Sequence, residues 1–151
     1  GCTRGRRRRA CYAAGAVLEV TPRAVATGED APSTHIRGQR GEDKACRWLN
    51  AQGYTVLARN WRSRRGEIDI IAEKASVLVF AEVKTLPSGN LETLAHELGA
   101  RKQKRIIETA KLFLLNHRKY SNDAIRFDVL VVDMPGLSEV YHIEDAFSEL
   151  V

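Results

Sequence analysis

The chain has 151 residues, 44% of them hydrophobic and 28% charged, which is enough for one domain with a proper core and the balance of a soluble globular protein. No apolar run approaches the roughly 20 residues of a membrane span. The three cysteines (Cys2, Cys11, Cys46) form no paired or CxxC pattern, which excludes a disulfide framework or a zinc ribbon and fits a reducing, cytoplasmic compartment. The net charge of +5 sits mostly in residues 1–37, where seven arginines face three acidic residues. The other 114 residues carry 17 basic and 16 acidic side chains, so charge alone does not make the folded part a nucleic-acid binder.

Residues 1–37 read as a basic, disordered leader without hydrophobic periodicity, either an arm that touches phosphates or a dispensable tail. The domain is expected from 38 to 151. Residues 39–51 predict a helix, because Glu42, Ala45, Cys46 and Leu49 fall on one face, and Gly53 is placed to end it. Residues 54–60 predict a strand and 61–66 a basic loop. Residues 67–73 and 77–84 predict a strand pair joined by a short turn at 74–76. Residues 85–99 read as irregular or partly helical. A helix follows over 101–117, with Ile106, Ile107, Ala110, Phe113 and Leu114 as its apolar stripe. Strands are expected over 126–134 and 140–143, with a turn at Pro135–Gly136 between them. This order makes an α/β sandwich around a mixed β-sheet the natural architecture.

The strand pair carries the candidate chemistry. Side chains alternate along a strand. Ile68, Ile70, Ala72, Val79, Ala81 and Val83 should therefore form one apolar face, and Glu67, Asp69, Ile71, Leu78, Phe80, Glu82 and Lys84 the other. A two-residue loop pairing Glu73 with Ser76 sets Asp69 diagonal to Glu82. A four-residue loop sets them directly opposite. Either way the carboxylates lie roughly 5–8 Å apart at Cβ, where like charges repel unless a cation stands between them. Mg²⁺, with oxygen ligands at about 2.1 Å, suits such a pair. The structural alternative is a sheet face on which Glu82 and Lys84 simply pair. Glu42 on an apolar stripe is either part of the site or a buried partner of Lys84 or Arg126, since a lone buried carboxylate is costly. Gln103 either joins the site or caps its helix. Arg126 and Asp128 share a strand face and are expected to pair.

Gly41-Glu42, Gly53-Tyr54, Arg59-Asn60, Gly66-Glu67-Ile68-Asp69, Glu82-Val83-Lys84, Lys102-Gln103 and Arg126-Phe127-Asp128, in that order, resemble the YraN-type family of uncharacterised bacterial proteins. The resemblance runs from about residue 38 to residue 147. That family in turn resembles PD-(D/E)xK nucleases, especially archaeal Holliday-junction resolvases. The resemblance implies a restriction-endonuclease-like three-layer sandwich, with a mixed central sheet flanked by helices. It implies Asp69, Glu82 and Lys84 as the signature triad, Glu42 as an accessory acid and Gln103 as a polar group on the second long helix. Family members often carry an aromatic or polar residue and then an arginine after the Glu-Val-Lys motif; here Thr85 and Leu86 follow. The expected ligands of Mg²⁺ or Mn²⁺ are Asp69, Glu82 and the Val83 carbonyl. Arg59, Trp61, Arg62, Arg64, Arg65 and Lys102 are the candidate nucleic-acid contacts, with Trp61 for stacking and the alternative that it is a buried anchor. The expected activity is endonucleolytic hydrolysis of DNA, branched DNA included, by a homodimer without a membrane partner. The competing expectation is a nucleic-acid-binding or partner-docking module that no longer cuts.

Overall fold

In the computed structural model, which describes residues 33–149, the first helix begins five residues before its expected start at residue 39. Helix α1 spans Thr34–Ala51, and the Ser33 hydroxyl accepts the Ile36 N–H at 3.4 Å as its N-cap. Its first turn is exposed to solvent, so no apolar stripe announces it. Residues 34–37 of the expected leader therefore belong to α1, and residues 1–32 lie outside the described residues. Gly41, Ala45, Cys46 and Leu49 form the buried face, and Gly53 stands just past the end at φ +86.

Five strands follow: β1 (Thr55–Ser63), β2 (Gly66–Lys74), β3 (Val77–Thr85), β4 (Ala124–Val132) and β5 (Val140–Phe147). They form one mixed sheet in the order β1-β2-β3-β4-β5, with β3 and β4 parallel and every other neighbour antiparallel. The parallel pair needs a crossover connection, which α2 (Leu91–Glu97) and α3 (Ala100–Asn116) supply. One core holds Ala45 and Leu49 of α1 against Ile70, Ala72, Val79, Ala81, Leu130 and Val132. The other holds Ile106, Ala110 and Phe113 of α3 against Ile71, Leu78, Phe80, Val129 and Val131. The described residues thus form the expected α/β three-layer sandwich: helix, mixed sheet, helix. Among the described residues no helix is long and apolar enough to cross a membrane.

Three local expectations change. The basic loop at 61–66 is mostly strand: β1 runs to Ser63, which pairs with Gly66, so only Arg64 and Arg65 turn. Trp61 drives this, because its ring packs edge-on against Phe113 at 5.4 Å. The β2–β3 turn takes the register expected of a longer loop, with Glu73 opposite Leu78, yet closes through Ala75 and Ser76 alone. Both have positive φ, 49° and 58°, the signature of a tight hairpin turn. Ile68 leaves the face of Ile70 and Ala72 for the α3 core.

A buried polar network ties the last strand on. Three residues of β5 (144–146) face the single β4 residue Asp128, because Phe127 pairs with Phe147 and Val129 with Ile143. Asp145 takes φ +51 in this bulge, and its N–H donates to Asp128 Oδ1 at 3.0 Å. The expected Arg126–Asp128 pair is present, with Arg126 Nε and Nη2 each donating at 2.8 Å. Arg126 Nη2 also donates to the Tyr54 hydroxyl, and His142 Nε2 lies 2.6 Å from Asp128 Oδ2. Burial alone would raise the Asp128 carboxyl, but hydrogen bonds from His142 and Arg126 outweigh it and hold the group below its ordinary range.

Two outcomes test this account. Ser76→Gly removes a side chain from a left-handed position and raises unfolding free energy in urea by about 1 kcal/mol. Asp128→Ala removes the fully buried acceptor of the half-buried Arg126, His142 and the Asp145 N–H and lowers it by about 2–4 kcal/mol.

Candidate active site

The pairing of β2 with β3 ends at Ile70↔Ala81, although β2 runs back to Gly66 and β3 on to Thr85. Beyond that rung β2 stays with β1 and β3 with β4. Asp69 and Glu82 are the next residues on either side of this fork. One side chain fills a backbone role there: the Val83 N–H donates to Asp69 Oδ2 at 2.8 Å.

The fork coincides with a switch of faces. Residues two apart on a strand ordinarily share a face. Here Arg59 reaches Asp43 of α1 at 2.8 Å, whereas Trp61 packs on the α3 side. Asn60 between them has φ +49, a conformation asparagine tolerates better than most residues. Ile70 and Ile68 separate in the same way about Asp69.

Helix α1 contributes the third acid. A Cβ on Gly41 would lie 1.9 Å from Thr85 Oγ1, so a residue with a side chain there would displace the Thr85 hydroxyl and press on its Cβ at 3.3 Å. Glu42, the next residue, accepts a hydrogen bond from Asn60 Nδ2 at 3.0 Å and lies 3.7 Å from Arg59 Nη2. It pairs with neither Lys84 nor Arg126; its partners come from β1 instead.

Glu82 is 4% exposed. Its Oε1 lies 3.1 Å from Lys102 Nζ and 3.7 Å from Lys84 Nζ. Its Oε2 is buried with no hydrogen-bond partner among the described residues. Lys84 Nζ also lies 3.5 Å from Glu97 of α2. Burial and then the Glu82 charge push the Asp69 carboxyl up from 3.8 to about 7, with Glu42 adding to the rise. The Val83 hydrogen bond and Lys102 act against it.

The expected residues Asp69, Glu82, Val83, Lys84 and Glu42 thus share one neighbourhood, and Lys102 joins them as a direct partner of Glu82. Gln103 does not: its Nε2 donates to the Leu98 carbonyl at 2.9 Å, so it ties the end of α2 to α3. One residue along a helix turns a side chain by about 100°, enough for Lys102 to face the site and Gln103 to face away. Trp61, half-buried, packs edge-on beside Phe113, the anchoring alternative that the sequence left open. Arg62 pairs with Glu67 at 3.0 Å, Arg65 stands 3.9 Å from Glu108, and Arg64 is exposed at the hairpin tip. Glu97 was not singled out from the sequence, and Asn60 entered only as part of the Arg59-Asn60 motif, with no role of its own. Asparagine inside a strand pattern was a readable signal, whereas nothing around Glu97 marked it.

The donor set suits a divalent cation in part. Glu82 has an orphaned buried oxygen and Asp69 is driven toward protonation, partly by the Glu82 charge, so a cation placed between them would relieve both. Among the described residues no group of three or more His, Cys, Asp or Glu is gathered for a metal. A cation here would take two carboxylates, the Val83 carbonyl and water, a set that Mg²⁺ accepts.

Comparison with known proteins gives one family. The family described as "Uncharacterised protein family UPF0102" matches residues 41–132, which include every residue of this site. A UPF0102 protein of Treponema pallidum (strain Nichols) is 46% identical over 120 residues, covering 77% of this chain and 95% of that protein. One from Treponema denticola is 45% identical over 123 residues, covering 74% and 95%. One from Persephonella marina is 38% identical over 112 residues, covering 74% and 93%.

A carboxyl whose pKa is higher folded than unfolded binds its proton more tightly in the folded state. Its contribution is fully present at low pH and is lost as pH rises from about 3.8 to about 7. In EDTA, Asp69→Asn therefore flattens this decline and melts higher than wild type at pH 8. The gain is at least about 1 kcal/mol, or roughly 2–4 °C. Melting curves across pH check both the slope and its loss.

Proposed function

The chain belongs to the uncharacterised protein family UPF0102, and we propose that it is a metal-dependent endonuclease that hydrolyses phosphodiester bonds in DNA, branched DNA included. The observation that carries this reading is the pairing of Asp69 and the buried Glu82 at the β2–β3 fork, with Lys84 beside them. An α/β sandwich that places two acids and a lysine at such a fork resembles the PD-(D/E)xK arrangement.

Asp69, Glu82 and the Val83 carbonyl would hold Mg²⁺ or Mn²⁺. Such an ion, when bound, lowers the pKa of a water ligand and polarises a phosphate oxygen. Asp69 fixes Val83 through its hydrogen bond and so sets the carbonyl that follows. Lys84 brings an ammonium to the same side as Glu82 and stabilises negative charge developing on phosphorus-bound oxygens. Glu42, positioned by Asn60, supplies a further acceptor for a water or a proton. Arg62, Arg64 and Arg65 on the β1–β2 hairpin, with Arg59 nearer α1, offer the positive charge that follows a phosphate backbone. A homodimer, which would present two such sites to a branched substrate, belongs to the same proposal.

A second reading has its own support. With Glu82 already matched by Lys102 and, among the described residues, no group of three acids close enough to hold a metal, the fold also suits a nucleic-acid-binding module that does not cut.

The deciding experiment incubates labelled single-stranded, duplex, nicked and four-way-junction DNA, and RNA, with Mg²⁺ or Mn²⁺. Wild type cuts at least one DNA substrate, and Asp69→Ala and Lys84→Ala each lose at least about 100-fold in rate. Binding without cutting that survives both substitutions selects the second reading.

A further inference from the structure

The site contains an alternating chain of charge. Glu97, Lys84, Glu82 and Lys102 follow one another at 3.5, 3.7 and 3.1 Å. The inner pair stands on β3, and both outer members come from the corner between α2 and α3. Lys102 lies in the first turn of α3, whose N-cap, Gly99, has no side chain to satisfy the leading N–H groups. The positive end of the helix dipole therefore disfavours the ammonium where it stands and adds to the positive field that meets Glu82.

Lys102 holds only one oxygen of Glu82, since Oε2 is left without a partner. A lysine ammonium is a compact charge on a flexible stem, and this side chain is 37% exposed, so it has room to turn. An ammonium and a divalent cation cannot share one carboxylate oxygen at about 3 Å without strong repulsion. A divalent cation that takes Oε1 must therefore move Lys102 aside.

We propose that Lys102 is a metal-displaced phosphate ligand. It neutralises Glu82 in the metal-free protein, and when a divalent cation takes that carboxylate its ammonium turns to a non-bridging phosphate oxygen of the nucleic acid. The inference rests on the nuclease reading and adds a coupling to it: metal binding creates a substrate contact on α3. Basic groups continue from there. Arg105 is three residues further along α3, on the same side of the helix, and a Cβ at Gly66 would lie 3.9 Å from Arg105 Nε. A backbone engaged at Lys102 is thereby led toward Arg64 and Arg65 of the hairpin. An ion pair with a purely structural role would show neither coupling nor direction.

The test compares wild type, Lys102→Met and Lys102→Arg. Mn²⁺ is titrated calorimetrically without nucleic acid. Binding of a fluorescent DNA duplex is then measured against salt concentration, in EDTA and in Ca²⁺. Lys102→Met binds Mn²⁺ about ten-fold more tightly than wild type, because its competitor is gone. In wild type and Lys102→Arg, Ca²⁺ steepens the salt dependence of DNA binding by about one phosphate contact, a slope change near 0.9. In Lys102→Met that increment is absent. Unchanged or weaker Mn²⁺ binding by Lys102→Met, or an increment that survives in it, overturns the inference. If wild type binds Mn²⁺ while these differences fail, the inference alone falls and the metal site stands. If wild type binds no Mn²⁺, both fall together.

Discussion

The fork between β2 and β3 is the constraint on which the rest of the site depends. Strand pairing stops after Ile70↔Ala81, and a carboxylate takes over as partner of the Val83 N–H. Were the ladder to continue, Asp69 and Glu82 would be two opposed residues of an ordinary sheet and the Val83 N–H would face a strand carbonyl. The opening gives Asp69 a backbone anchor and turns Val83 toward the same place. The left-handed Asn60 on β1 and the face switch at Asp69 let β1 and β2 bend away together while Trp61 and Ile68 still find the α3 core.

This geometry is electrostatically costly, and the surrounding structure is arranged to tolerate it. Two acids share a desolvated place, and Asp69 responds by holding its proton to about pH 7. Glu82 is met on one oxygen by lysines from two elements and is left bare on the other. The missing Cβ at Gly41 lets a third acid approach. Such conflict between local stability and placement is expected where chemistry is done. The Asp128 network shows the contrast: it is equally buried, but every charge is answered by Arg126, His142 or a backbone N–H, and it serves to hold β5 across a bulge.

Much of this was legible in the residues. The apolar stripes of α1 and α3, the alternation of the central strands and the Arg126–Asp128 pair all follow from periods of 3.6 and 2. What was misread lies where periodicity ends. The exposed first turn of α1 has no stripe. The hairpin of β1 and β2 looked like a loop because Arg62, Arg64 and Arg65 outnumber its buried residues, although Trp61 packs it against Phe113 of α3. Ile68 changed faces where β2 leaves β3, paired with Trp61 of β1 just beyond the left-handed Asn60.

By itself the sequence determined the sandwich, its two apolar layers, and that Asp69, Glu82 and Lys84 belong on one side of adjacent strands. These are consequences of local spacing along single elements. Only the tertiary structure decided which helical residue meets Glu82. Lys102 rather than Gln103 does so, because the axial rotation of α3 is set by how Ile106, Ala110 and Phe113 seat on the sheet. Only it revealed Glu97 beside Lys84, Asn60 beside Glu42 and the strands parting at the carboxylates. Contacts between elements distant in the chain depend on packing angles and backbone twist, and neither is written in the spacing of residues along one segment.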